Sequence, residues 1–61
     1  MYLLRAVEIY LRRTGTRPTT FGRTVVHDPQ FVFDLRRGRE PRESTEQRVR
    51  AFIAQQEEAQ G

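Results

Sequence analysis

Glycine and proline constrain this chain more firmly than any other feature of it. Gly15 and Pro18, then the Asp28-Pro29 pair, then Gly38 and Pro41, cut it into four short stretches. Proline lacks an amide and fixes its own φ, while glycine accepts the left-handed backbone that closes a helix. Both therefore punctuate helices rather than continue them. The apolar residues between these marks recur at helical spacing. Leu4, Val7 and Leu11 fall at i, i+3 and i+7, with Leu3 and Tyr10 beside them; Phe21 and Val25 fall at i and i+4. Further on, Phe31, Val32 and Leu35 form a third apolar group, and Val49, Phe52 and Ile53 a fourth. The pattern predicts an all-α fold, a compact four-helix domain with helices at about 2–14, 18–26, 29–37 and 45–56, and a frayed tail at 57–61.

The boundaries have local reasons. Gly15 reads as a left-handed C-cap behind Arg12 and Arg13, whose charges suit the negative end of the helix dipole. Glu8 precedes Arg12 in the favourable i, i+4 order. Pro18 suits a first helical turn. Gly22 inside the second helix costs roughly 1 kcal/mol against alanine, a cost that makes sense where another helix must approach closely. Asp28 followed by Pro29 reads as an N-cap and first helical position. Ser44, with Gln47 three residues on, reads as a capping box for the last helix.

Size then limits what such a chain can do. A domain of 61 residues buries only about 60% of its unfolded surface, so its stability margin is narrow. It has no cysteine and one histidine, which rules out a disulfide framework and a zinc constellation. His27, in an inter-helical turn, has no second ligand and no serine or cysteine to serve, so it reads as structural or solvated. The absence of cysteine is compatible with a reducing cytoplasm. No stretch approaches the roughly 20 apolar residues of a membrane span, and the opening MYLLRAVEIYLRR does not read as a signal peptide. Four short helices leave little room for a concave site of several hundred Å³, and no nucleophile stands with a base, so no enzyme and no cofactor are expected.

Charge points elsewhere. All eleven basic residues are arginine, and the net charge is +3. Six of them (Arg17, Arg23, Arg36, Arg37, Arg39 and Arg42) face only Asp28, Asp34 and Glu40 in the middle of the chain, so the whole excess sits there. A localised basic stretch in a small protein points to a polyanion partner.

Two short helices separated by a turn are the geometry in which one helix braces on a DNA backbone and the next enters the major groove. On the third helix, Gln30, Phe33, Asp34 and Arg37 lie at i, i+3, i+4 and i+7, opposite Phe31, Val32 and Leu35. Glutamine can pair with adenine, arginine with guanine, and a phenylalanine edge can touch a thymine methyl. Asp34 can accept from cytosine, or instead hold Arg37 or another arginine. Around this stripe Arg17, Thr19, Thr20, Arg23, Arg36 and Arg39 are the candidates for phosphate contact.

The stretch from Pro18 to Ile53, with FDLRRGREPREST its most specific part, resembles the Cro/repressor-type (XRE-like, lambda-repressor-like) helix-turn-helix proteins. More loosely it resembles small alphaproteobacterial proteins of this type that share the core FGR, DP, FV, DLR and GREP in that order. The resemblance implies a cytoplasmic, nucleoid-associated transcription regulator that binds double-stranded DNA, as a homodimer or with a regulatory protein partner. It carries base reading onto Gln30, Phe33, Asp34 and Arg37, and backbone contact onto the neighbourhood of Thr19, Arg23 and Arg39. Gly22 stands where the family usually has alanine, the turn lacks the usual glycine, and the usual fifth helix is missing. Tyr2, Leu3 and Tyr10 are the candidate dimer surface. The rival expectation is a protein-interaction module, such as an antitoxin or accessory subunit, with Phe33 as its anchor.

Overall fold

The computed structural model describes residues 2–60 and contains four helices, α1 (Leu3–Thr14), α2 (Pro18–Val26), α3 (Phe31–Arg36) and α4 (Glu43–Gln60). The described residues include no strand, so the fold is all-α. The four expected apolar groups meet in one core: Leu3, Val7, Leu11, Phe21, Val25, Phe31, Val32, Leu35, Val49 and Ile53. Fully burying an aliphatic or phenylalanine side chain contributes about 1.5–3 kcal/mol, so this one cluster supplies most of the drive to fold. No polar side chain among the described residues is buried with it. Tyr10, Phe21 and Phe52 join α1, α2 and α4 through three ring contacts with centroids 5.5, 5.8 and 5.9 Å apart. Their tilted and edge-to-face geometries suit the ring quadrupoles.

On α1 the buried stripe is turned slightly from its expected place. Leu3, Val7 and Leu11 are buried at i, i+4 and i+8, and Leu4 is only partly covered. This corrects the candidate dimer surface, because Leu3 is in the core and Tyr10 packs against it. Of that trio only Tyr2 remains exposed. Gly15 closes α1 at φ 70°, in the left-handed region, as its position implied.

The α2–α3 connection departs from expectation. Val26 is followed by His27 at φ 57°, the one non-glycine residue with positive φ among the described residues. The amides of His27 and Asp28 both return to the Gly22 carbonyl, the latter at 3.1 Å. Asp28 then makes a turn rather than a helix cap. Its carboxylate accepts the Gln30 amide at 2.9 Å, and its carbonyl accepts the Phe31 amide at 3.1 Å. Pro29 sits at the second position of that turn, where its fixed φ is favourable. The helix therefore starts at Phe31 rather than Pro29. The same aspartate-proline pair that can open a helix here closes a β-turn, because the Asp28 peptide lies against α2.

Gly22 makes that contact possible. A Cβ at this position would run into the Asp28 carbonyl oxygen and stand 3.2 Å from the Phe31 Cβ. The close approach read from the sequence is thus real, and it involves the backbone of the turn as well as α3.

α3 ends on a Schellman closure. The Gly38 amide reaches the Leu35 carbonyl at 3.0 Å and the Arg39 amide reaches the Asp34 carbonyl at 3.0 Å, with Gly38 at φ 95°. α4 begins at Glu43, two residues earlier than expected. Glu46 donates its amide to the Arg42 carbonyl at 2.9 Å, so Ser44 lies inside the first turn and forms no capping box. Glu43 and Glu46 bring carboxylates to that turn instead, where they oppose the positive end of the dipole. At the other end the helix runs through Gln60, over residues expected to form a frayed tail; Gly61 lies outside the described residues. Glu57 there lies 3.4 Å from Arg13 of α1.

Candidate nucleic-acid interface

α2, its turn and α3 carry the predicted residues. Arg17 is exposed immediately before α2, Thr19 and Thr20 occupy its first turn, and Arg23 is exposed on its surface. Pro18 supplies no amide, and no side chain caps the α2 N-terminus. Gln30 is exposed one residue before α3, and Arg37 is exposed one residue after it. A helix of six residues spans less than two turns. Gln30 and Arg37 therefore stand at its two ends rather than within it. Their backbone angles, φ −90° and ψ −3° for Gln30 and φ −83° and ψ −2° for Arg37, are those of turn residues flanking the helix.

Within the stripe, two of the four side chains are already engaged. Phe33 is half-buried and stays out of the core cluster, with the Arg36 guanidinium carbon 5.7 Å from its ring centroid. Asp34 is half-buried too, and its carboxylate lies 3.4 Å from Arg39. Of the roles open to Asp34, holding an arginine is the one observed, and the arginine is Arg39 rather than Arg37. The long separation and the exposure of Arg39 make this a weak pair.

Arg36 has a different employment from the one expected. Its Nε donates to Glu8 Oε2 at 2.9 Å and its Nη2 to Glu8 Oε1 at 2.8 Å, a two-pronged pair between α3 and α1. Such parallel bonds fix both planes as well as attracting charge. The hydrogen bond from Arg36 holds the Glu8 carboxyl below the ordinary carboxylate range; partial burial opposes it, and the charges of Arg36 and Arg12 add to it. The same bond raises Arg36 above the usual arginine value. Arg36 thus acts as a strap on α3 rather than as a free phosphate clamp. Glu8 is the residue that local spacing misses. It fits Arg12 four residues on, but its partner is 28 residues away in the chain. Its being the only acid on α1 was the one available signal.

What remains open to a ligand is specific. Arg17, Arg23 and Arg37 are exposed and have no side-chain partner among the described residues, and Gln30 offers its whole amide. These groups can donate to phosphate oxygens and to base edges. His27 serves as the left-handed end of α2, and no three metal-ligating side chains come together among the described residues. Comparison with protein-family models, with curated proteins and with solved structures finds no match to this chain.

Proposed function

We propose that this protein is a sequence-specific regulator of transcription that binds double-stranded DNA, with α2, its turn and α3 acting as a helix-turn-helix. The observation that carries this reading is the set of unpaired donors, Arg17, Arg23, Gln30 and Arg37, spread over two helices whose approach is fixed at Gly22. A rigid pair of short helices with donors at its outer edge matches what a major groove demands: one helix to enter and another to brace. In this reading Gln30 and Arg37 face bases, with Phe33 and Asp34 between them. Arg17, Thr19, Thr20, Arg23 and Arg39 face the backbone. Arg36 orients α3 through Glu8.

The protein works without catalysis or cofactor in this reading, in the cytoplasm beside the nucleoid. No helix among the described residues is long and apolar enough to cross a membrane. Two copies on DNA would set their α3 helices about 34 Å apart, on half-sites one turn from each other. Their mutual contact must come from groups other than Leu3, which is buried in the core.

The test is a set of binding measurements on a selected site and on scrambled DNA. Affinity should fall steeply with salt, since each neutralised phosphate releases counterions. Arg37→Ala should lose about 1–3 kcal/mol on the selected site and relax preference at one base pair. Arg23→Ala should weaken both DNAs alike. Equal losses for the two variants on every DNA would remove α3 from the groove.

A further inference from the structure

A second surface lies on the far side of α1. An open groove of about 900 Å³ runs between α1 and the connection from α3 to α4. The chain was expected to leave little room for a concave site of several hundred Å³; this groove has that volume but lies open to solvent. Its apolar lining comes from Leu3, Leu4, Ile9, Leu35 and Pro41. Tyr2 stands at its end with 86% of its surface exposed, the only large apolar side chain so exposed among the described residues. Ile9 is half-buried yet does not join the core cluster, so its apolar surface serves the groove. Tyr2, Arg5, Ile9 and Arg12 follow one another at i, i+3, i+7 and i+10, a single stripe along the helix.

The charges around the groove are unequal in availability. Arg36 is taken by Glu8 and Glu46 by Arg50, while Arg39 keeps only its weak contact with Asp34. Arg5 has no side-chain partner, and Arg12 reaches Glu8 only through longer-range attraction. An occupant therefore meets an apolar floor with two available cations on one wall, about 10 Å apart along the axis. Glu40 is the single unpaired acid on the opposite wall.

We propose that this groove is the docking site for an acidic amphipathic helix of another protein. Its apolar side chains would lie over Leu4 and Ile9, beside Tyr2, and its carboxylates would meet Arg5 and Arg12. The mode is the familiar one of a helix laid into an apolar groove, with charge setting its direction. A nucleic acid does not fit, because its backbone has nothing to place on an apolar floor. A second copy fits less well. Two α1 helices crossing antiparallel about Glu8 and Ile9 would set each Arg5 against the other copy's Arg12. Of the groups in the DNA reading, Arg36 and Arg39 line the groove's far wall, while Arg17, Thr19, Thr20, Arg23, Gln30, Phe33, Asp34 and Arg37 do not, so the two surfaces meet only along that edge.

The experiment uses the full chain and two synthetic helical peptides of about four turns. One carries leucines at i, i+3, i+4 and i+7 with glutamates seven residues apart beside them; the other has lysine for each glutamate. The glutamate peptide should bind saturably by calorimetry and shift the amide resonances of Arg5, Ile9, Arg12 and Gly38. The Arg5→Ser/Arg12→Ser double variant should bind it at least about tenfold more weakly while keeping the helical circular dichroism of the folded chain. Ile9→Gln should weaken it as well, again without unfolding. Equal binding of the lysine peptide, shifts on α2 and α3 instead of α1, or no saturable binding would each overturn the proposal. So would a concentration-dependent dimer whose α1 resonances move on dilution, since a second copy would then be the occupant.

Discussion

Two glycines bracket α3, and they are needed for opposite reasons. Gly22 has ordinary helical φ and no room, because the Asp28 carbonyl and the Phe31 side chain stand where its Cβ would be. Gly38 has room in every direction and an unusual backbone, at φ 95° with nothing within 4 Å of a Cβ. The first is a packing requirement and the second a conformational one. The entry to α3 is consequently held by backbone contact with α2, while its exit is held by Leu35 in the core, by the local Schellman bonds and by the Arg36–Glu8 strap.

The largest expected effect is at the packed end. Gly22→Ala should destabilise by about 3 kcal/mol in urea unfolding, because the opposing atom is backbone and cannot rotate away. Gly38→Ala should cost about 1 kcal/mol, with Gly38→Asn milder, since asparagine tolerates the left-handed region better. Equal losses at the two glycines would erase the contrast. The smallest effect is expected at the strap. Glu8→Gln should cost about 0.5–1 kcal/mol at neutral pH, the upper range for a solvent-accessible pair with good geometry. Glu8 has its folded pKa depressed from 4.5, so the pair's contribution is fully present above that value. It is lost as the pH falls through the lower, folded value. The Glu8→Gln difference should therefore shrink in acid unfolding series run below pH 4.5. A difference that persists undiminished at the acid end would mean that the strap acts through shape alone.

Much of this was legible in advance, for reasons that separate local from distant effects. α2 has its expected bounds because Pro18 and the end of the apolar run act within a turn of themselves. Gly15 ends α1 for the same reason. Gly22 announced a close approach because a glycine in a helix interior is otherwise a loss. The start of α3 was ambiguous in principle. Asp28 and Pro29 serve a helix cap and a β-turn equally well, and the choice depends on α2 lying against the Asp28 peptide. Ser44 offered a cap that the earlier start at Glu43 makes unnecessary. At the candidate site, helical periodicity brought out the exposure of Gln30 and Arg37. It could not show that Arg36 crosses to Glu8 or that Asp34 meets Arg39, since partner choice among many arginines is decided in three dimensions. The groove beside α1 was hidden for the same reason, being formed by segments far apart in the chain.

The contact at Gly22 has a consequence for how such a protein can diversify. Because α2 and the turn touch through backbone, the angle between α2 and α3 does not depend on which side chains point outward from them. Residues 30, 33 and 37 can be exchanged as letters on a fixed page, leaving the page itself unbent. On the proposed DNA reading, new specificities are then reachable one substitution at a time, while a change at residue 22 would alter every one of them together.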